Sequence, residues 1–83
     1  MNSVLADVIG IAGSASIVGA YIYNNVAARV DALLYNSVNF VGAVLLCISL
    51  SVHFNLASLL LEFVWMGVAL FGMGKAIKTR SGA

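Results

Sequence analysis

Glu62 lies within Leu59-Leu60-Leu61-Glu62-Phe63-Val64-Trp65, an acid set among strongly apolar side chains. A carboxyl group in such a run has three uses: it carries protons, it binds a polar solute, or, as a neutral acid, it hydrogen-bonds a neighbouring helix and holds the assembly together. Asn36 and Asn39 are its expected partners. They are three residues apart and so share one face of a helix, with Tyr35 and Ser37 beside them. Asn39 lies deeper in its apolar run and is the better match for Glu62. The plainer outcome is an interhelical hydrogen bond of about 0.6 kcal/mol; the sharper one is a polar face lining a cavity. Asp7 fits a first-turn acid complementing a helix dipole. Arg29 and Asp31 fit topology and local pairing. His53 is a lone histidine in a connection, and a pigment or haem role for it lacks a second ligand. Cys47 is the single cysteine and forms no intrachain disulfide. No nucleophile–base pair, metal-ligand cluster or phosphate-cradling loop is present, so neither enzyme activity nor a cofactor or metal is expected.

The elements that must position these groups follow from composition. The chain has 83 residues, 63% hydrophobic and 8% charged, with a mean hydropathy of +1.08. A soluble domain carries about 25% charged residues, and one this short leaves over a third of its surface wet. The composition therefore predicts a bilayer as solvent. Three apolar stretches, at residues 4–23, 33–52 and 56–73, each approach the ~20 residues that cross a ~30 Å hydrocarbon core. The expected fold is all-α, an integral membrane three-helix bundle forming a single domain over residues 1–83, with a short basic C-terminal tail. The chain opens Met-Asn-Ser-Val-Leu-Ala-Asp with no basic residue before Arg29, unlike the basic start of a signal peptide, so the first stretch is expected to be retained. Nothing resembles the basic patch of a nucleic-acid binder.

The first stretch is rich in Gly, Ala and Ser. Pairs such as Gly10/Ser14, Ala12/Ser16 and Ala15/Gly19 are small-xxx-small spacings that let helix backbones approach in lipid. Gly13, Ala15 and Gly19 are the expected packing residues. Arg29, Lys75, Lys78 and Arg80 all fall on one side of a three-span chain, which predicts an outside N-terminus and a cytoplasmic C-terminus.

Ile9-Gly10, then Leu33-Leu34-Tyr35-Asn36 with Asn39-Phe40-Val41-Gly42-Ala43, then Asn55 through Trp65 with its Glu62-x-x-Trp65, resemble the CBU-type family of small bacterial membrane proteins. That resemblance implies three membrane helices in a bacterial inner membrane and no particular activity. The chain is also similar, more weakly, to semiSWEET transporters of the PQ-loop group, in length, span number and a polar residue in the third helix. This second likeness implies a 1-3-2 helix order and a homodimer around a solute path. The Pro-Gln signature of that group is missing; the corresponding stretch reads Ile17-Val18-Gly19-Ala20-Tyr21. Three helices bury too little to enclose a path alone, so the chain is expected to associate with itself or with a larger membrane complex. Two functions follow: a semiSWEET-like homodimer that moves or binds a small solute, with Glu62, Asn39 and Asn36 lining the site, or a non-catalytic accessory subunit.

Overall fold

The computed structural model describes residues 1–80, the side chain of Arg80 excepted; the end of the basic tail, residues 81–83, lies outside the described residues. Three helices account for nearly all of it: α1 Ser3–Val26, α2 Ala32–Leu50 and α3 Leu56–Arg80. All three are long and apolar enough to cross a membrane. Each begins at a polar residue whose side chain accepts a backbone N–H that the helix itself leaves unpaired. Asn2 Oδ1 accepts from Leu5 N at 2.7 Å, Asp31 Oδ1 from Leu33 N and Leu34 N at 3.1 and 3.2 Å, and Asn55 Oδ1 from Ser58 N at 3.0 Å.

Both connections are short, residues 27–31 and 51–55, and each makes its flanking helices antiparallel neighbours. The first is tied down by the Tyr23 hydroxyl, which accepts the Asp31 backbone N–H at 2.8 Å. The second is tied to α1 by a contact of His53 Nε2 with Asp7 Oδ1 at 2.9 Å. Asp7 therefore has a partner across the end of the bundle. It stands past the first turn of α1, which contains no acid, so the expected dipole role gives way to this clasp.

α3 runs beyond residue 73. Lys75 and Lys78, expected on an irregular tail, stand on its last turns, where no proline interrupts the helix. Its 25 residues extend about 37 Å at 1.5 Å per residue, more than a ~30 Å core requires.

α1 packs on α2 through small residues. Ala6, Gly13 and Ala20 are buried on α1; Gly42, Ala43 and Ser49 are buried on α2. The seam is tightest where the two glycines cross. A Cβ on Gly13 would sit 2.7 Å from the Gly42 carbonyl oxygen, and one on Gly42 would sit 2.9 Å from that of Gly13. Both helices can lie this close only because neither has a side chain there. Two turns outward, the Ser49 hydroxyl donates to the Ala6 carbonyl at 2.8 Å.

α3 packs on the other side of α2. Asn36 lies against Gly72, Ser37 Oγ donates to Met73 Sδ at 3.3 Å, and Ala69 and Ala76 are buried. No Cα of α1 comes within 8 Å of a Cα of α3. The helix order is therefore 1-2-3, with α2 central, which corrects the 1-3-2 order that the transporter likeness implied. The reason lies in the faces: α2 carries the small-residue surface complementary to α1, whereas Gly67 and Gly74 of α3 face open space.

Candidate functional site

Asn36, Ser37, Asn39 and Glu62 lie along the side of α2 and α3 where these helices meet, or in the groove above it. The register of that seam is fixed by Asn36 against Gly72 and Ser37 against Met73. Carried along ideal antiparallel helices, it sets Glu62 roughly level with Leu46 and Cys47, seven or eight residues and about 11 Å from Asn39. Glu62 and Asn39 are thus not brought together, and no hydrogen bond joins them.

Each asparagine also turns part of its amide inward on its own helix, a habit of this residue type in apolar surroundings. Asn36 Nδ2 donates to Ala32 O at 2.8 Å and Asn39 Nδ2 to Tyr35 O at 3.0 Å. Asn39 is 4% exposed, and its Oδ1 faces Trp65 Nε1 at 3.4 Å, a length at which a hydrogen bond is weak. Trp65 is therefore the α3 residue that meets Asn39, a role that composition alone did not assign. Glu62 is half-buried on the α2-facing stripe of α3, and its Oε2 atom is buried with no hydrogen-bond partner.

Above α2, the gap between α1 and α3 forms a groove of about 400 Å³. Ile17, Val18, Tyr21 and Ile22 form one wall, Trp65 the other, and Tyr35 and Asn39 the floor. Its volume falls within the range of small-molecule sites, but no carboxylate, amine or imidazole lines it. Its polar groups belong to Tyr21, Tyr35, Asn39 and Trp65, which suits packing and hydrogen bonding and not acid–base chemistry. No cluster of three metal-ligating side chains occurs among the described residues.

The expected packing residues divide. Gly13 lies in the α1/α2 seam, while Ala15 and Gly19 are exposed on a different face of α1, and nothing lies within 4 Å of the space a Cβ on Gly19 would occupy. Ala15 and Gly19 instead line a shallow groove with Tyr23, Leu34 and Val38. The seam itself is built on Ala6, Gly10 and Gly13, a four-then-three spacing that marks one helix face, against Gly42 and Ser49, seven apart.

One protein-family model matches residues 6–80, reaching into all three helices. No curated protein and no solved structure matches the chain.

Proposed function

The chain belongs to the CBU-type family of small three-helix membrane proteins, and from that premise and the seam geometry we propose that it is a non-catalytic accessory subunit, held to a larger membrane complex through the Glu62 side of α3. One observation carries this reading: only 6% of the apolar window of α3 is buried within the chain, and Glu62 on that helix is itself only half-buried. Inside a bilayer no water is at hand, so the exposed part of an acid at that depth calls for a partner made of protein. The 1-2-3 order points the same way, since three helices in that order enclose no path for a solute.

Purification in mild detergent tests the proposal. Stoichiometric recovery of a larger complex supports it, and loss of that complex in Glu62→Leu with the helices intact places the contact. Glu62→Gln keeps the shape and a hydrogen-bonding group, so it should retain the partner. If the wild-type chain emerges only as a discrete homodimer, the accessory reading fails. A solute-binding homodimer would then take its place; the buried Asn39 on the floor of the α1/α3 groove is the observation in its favour.

The same proposal sets the chain in a bacterial inner membrane with the end bearing Arg29, Lys75 and Lys78 in the cytoplasm. In a Cys47→Ser background, Ser3→Cys should react with an impermeant maleimide on intact cells and Thr79→Cys only after permeabilisation. The reverse pattern would overturn the orientation.

A further inference from the structure

We propose that the groove between α1 and α3 is a site for the ring of a hydroquinone dissolved in the membrane, flanked by Tyr21 and Trp65 and donating one hydroxyl to Asn39 Oδ1. The floor of the groove supplies the decisive atom. Asn39 is 4% exposed, yet among the described residues its Oδ1 makes only the 3.4 Å contact with Trp65 Nε1. An amide oxygen has two lone pairs, and at that length even the first is poorly used. The Nδ2 end is turned back onto the Tyr35 carbonyl, whereas Oδ1 is turned toward Trp65, the α3 wall of the groove. The acceptor therefore stands on the side that a ligand reaches.

The walls decide which donor fits. Asn39 is seven residues into α2, about 10 Å from its start, so in a ~30 Å core the amide stands well inside the hydrocarbon. No charged side chain lines the groove, and a cationic donor would lie there uncompensated. A neutral hydroxyl is the donor that costs least. Val18, Tyr21 and Ile22 are 56%, 58% and 57% exposed, so the groove opens sideways and its ligand arrives from the bilayer. Tyr21, Tyr35 and Trp65 offer aromatic surface, which suits a flat ring in offset or edge-on contact better than a flexible chain. A hydroxyl carried on an aromatic ring meets both demands. The second hydroxyl of a hydroquinone has the phenols of Tyr21 and Tyr35 to meet, neither of which is hydrogen-bonded among the described residues. The site lies within one chain, so it stands with or without the larger complex proposed above.

Trp65 is the chain's single tryptophan, so its fluorescence reports on the groove directly. The full chain in a neutral maltoside detergent is titrated with tetramethylhydroquinone under argon, with tryptophan octyl ester in the same micelles as the reference for simple partitioning. Saturable quenching at one ligand per chain is expected. The dimethyl ether, which keeps the ring and loses both donors, should bind about fivefold more weakly. Asn39→Leu should bring the hydroquinone down to the level of the ether and leave the ether unchanged. Val18→Phe, at an exposed position on the groove wall, should weaken both ligands by filling the space. Circular dichroism checks that the helices persist in each variant, and the comparison of the two ligands on the unaltered chain depends on neither. Equal binding of the hydroquinone and its ether, quenching that follows the octyl ester without saturating, or a hydroquinone preference that survives Asn39→Leu would overturn the site. So would a Trp65 spectrum that shifts with chain concentration and resists the ligand, because a second copy would then occupy the groove.

Discussion

The two seams that α2 makes are built from different materials. On the α1 side, backbone meets backbone: Gly13 and Gly42 each occupy the space where the other's side chain would be, and Ser49 bonds a main-chain carbonyl. On the α3 side, side chains mediate: an asparagine amide fills the space over Gly72, a serine meets a thioether, and the carboxyl of Glu62 has an oxygen with no partner. Burial follows the same division, with only 6% of the apolar window of α3 buried within the chain against 17% for α1 and 22% for α2. In lipid, close packing and interhelical hydrogen bonds replace the hydrophobic drive between helices. The glycine seam is a finished contact. The α3 seam is adjustable, and α3 keeps most of its surface for other molecules.

The comparison can be broken most easily at Gly13. Gly13→Leu must push the Gly42 carbonyl away, and no rotamer relieves a clash with backbone. A loss of about 3 kcal/mol is expected, read as a shift in the midpoint of unfolding in mixed detergent micelles; an unchanged midpoint would mean the helices do not cross there. Ser49→Ala should be milder. It deletes one interhelical hydrogen bond, expected at about 0.6 kcal/mol in the same assay, and a loss above ~2 kcal/mol would show that the hydroxyl serves more than the Ala6 carbonyl. Gly72→Ala sharpens the contrast between seams. Its Cβ meets the end of the Asn36 side chain, which can rotate away from its Ala32 bond, so the loss should stay below about 0.5 kcal/mol. A loss as large as that of Gly13→Leu would make the two seams equally rigid and erase the distinction. Smallest of all, Gly19→Leu should leave the unfolding of the single chain unchanged, since nothing borders that site. Any effect it has should be on association, visible as altered cross-linking in membranes.

Helix number, and the length and apolarity that would let each helix cross a membrane, were legible because apolar runs of span length leave few alternatives. The polar residues Asn2, Asp31 and Asn55 that cap the helices sit where such runs begin. The small-residue character of α1 was legible too, but not its working face. In an Ala/Gly-rich helix many small-xxx-small pairs coexist, and only the partner decides among them; Gly42 and Ser49 selected Ala6, Gly10 and Gly13 over Ala15 and Gly19. The pairing of Glu62 with Asn39 could not be judged from their types and depths. Both are polar groups within apolar runs, yet the antiparallel register separates them by two turns and gives Asn39 to Trp65. The clasp between Asp7 and His53 was out of reach for a similar reason: it joins two residues far apart in sequence whose proximity depends on how α1 returns alongside the second connection.

The central place of α2 also orders events in time. Among the described residues α2 is the one helix whose Cα atoms come within 8 Å of α1, and the contact that ties α1 further, Asp7 to His53, involves the connection made directly after α2. Once residue 53 has emerged from the ribosome, the α1/α2 seam and its clasp can therefore form in full before α3 is complete. Neighbouring segments of the chain meet without a long loop to close, the condition for rapid folding. α3 then arrives last, onto a surface already formed, and it is the helix whose docking can be delayed or redirected without unmaking the rest.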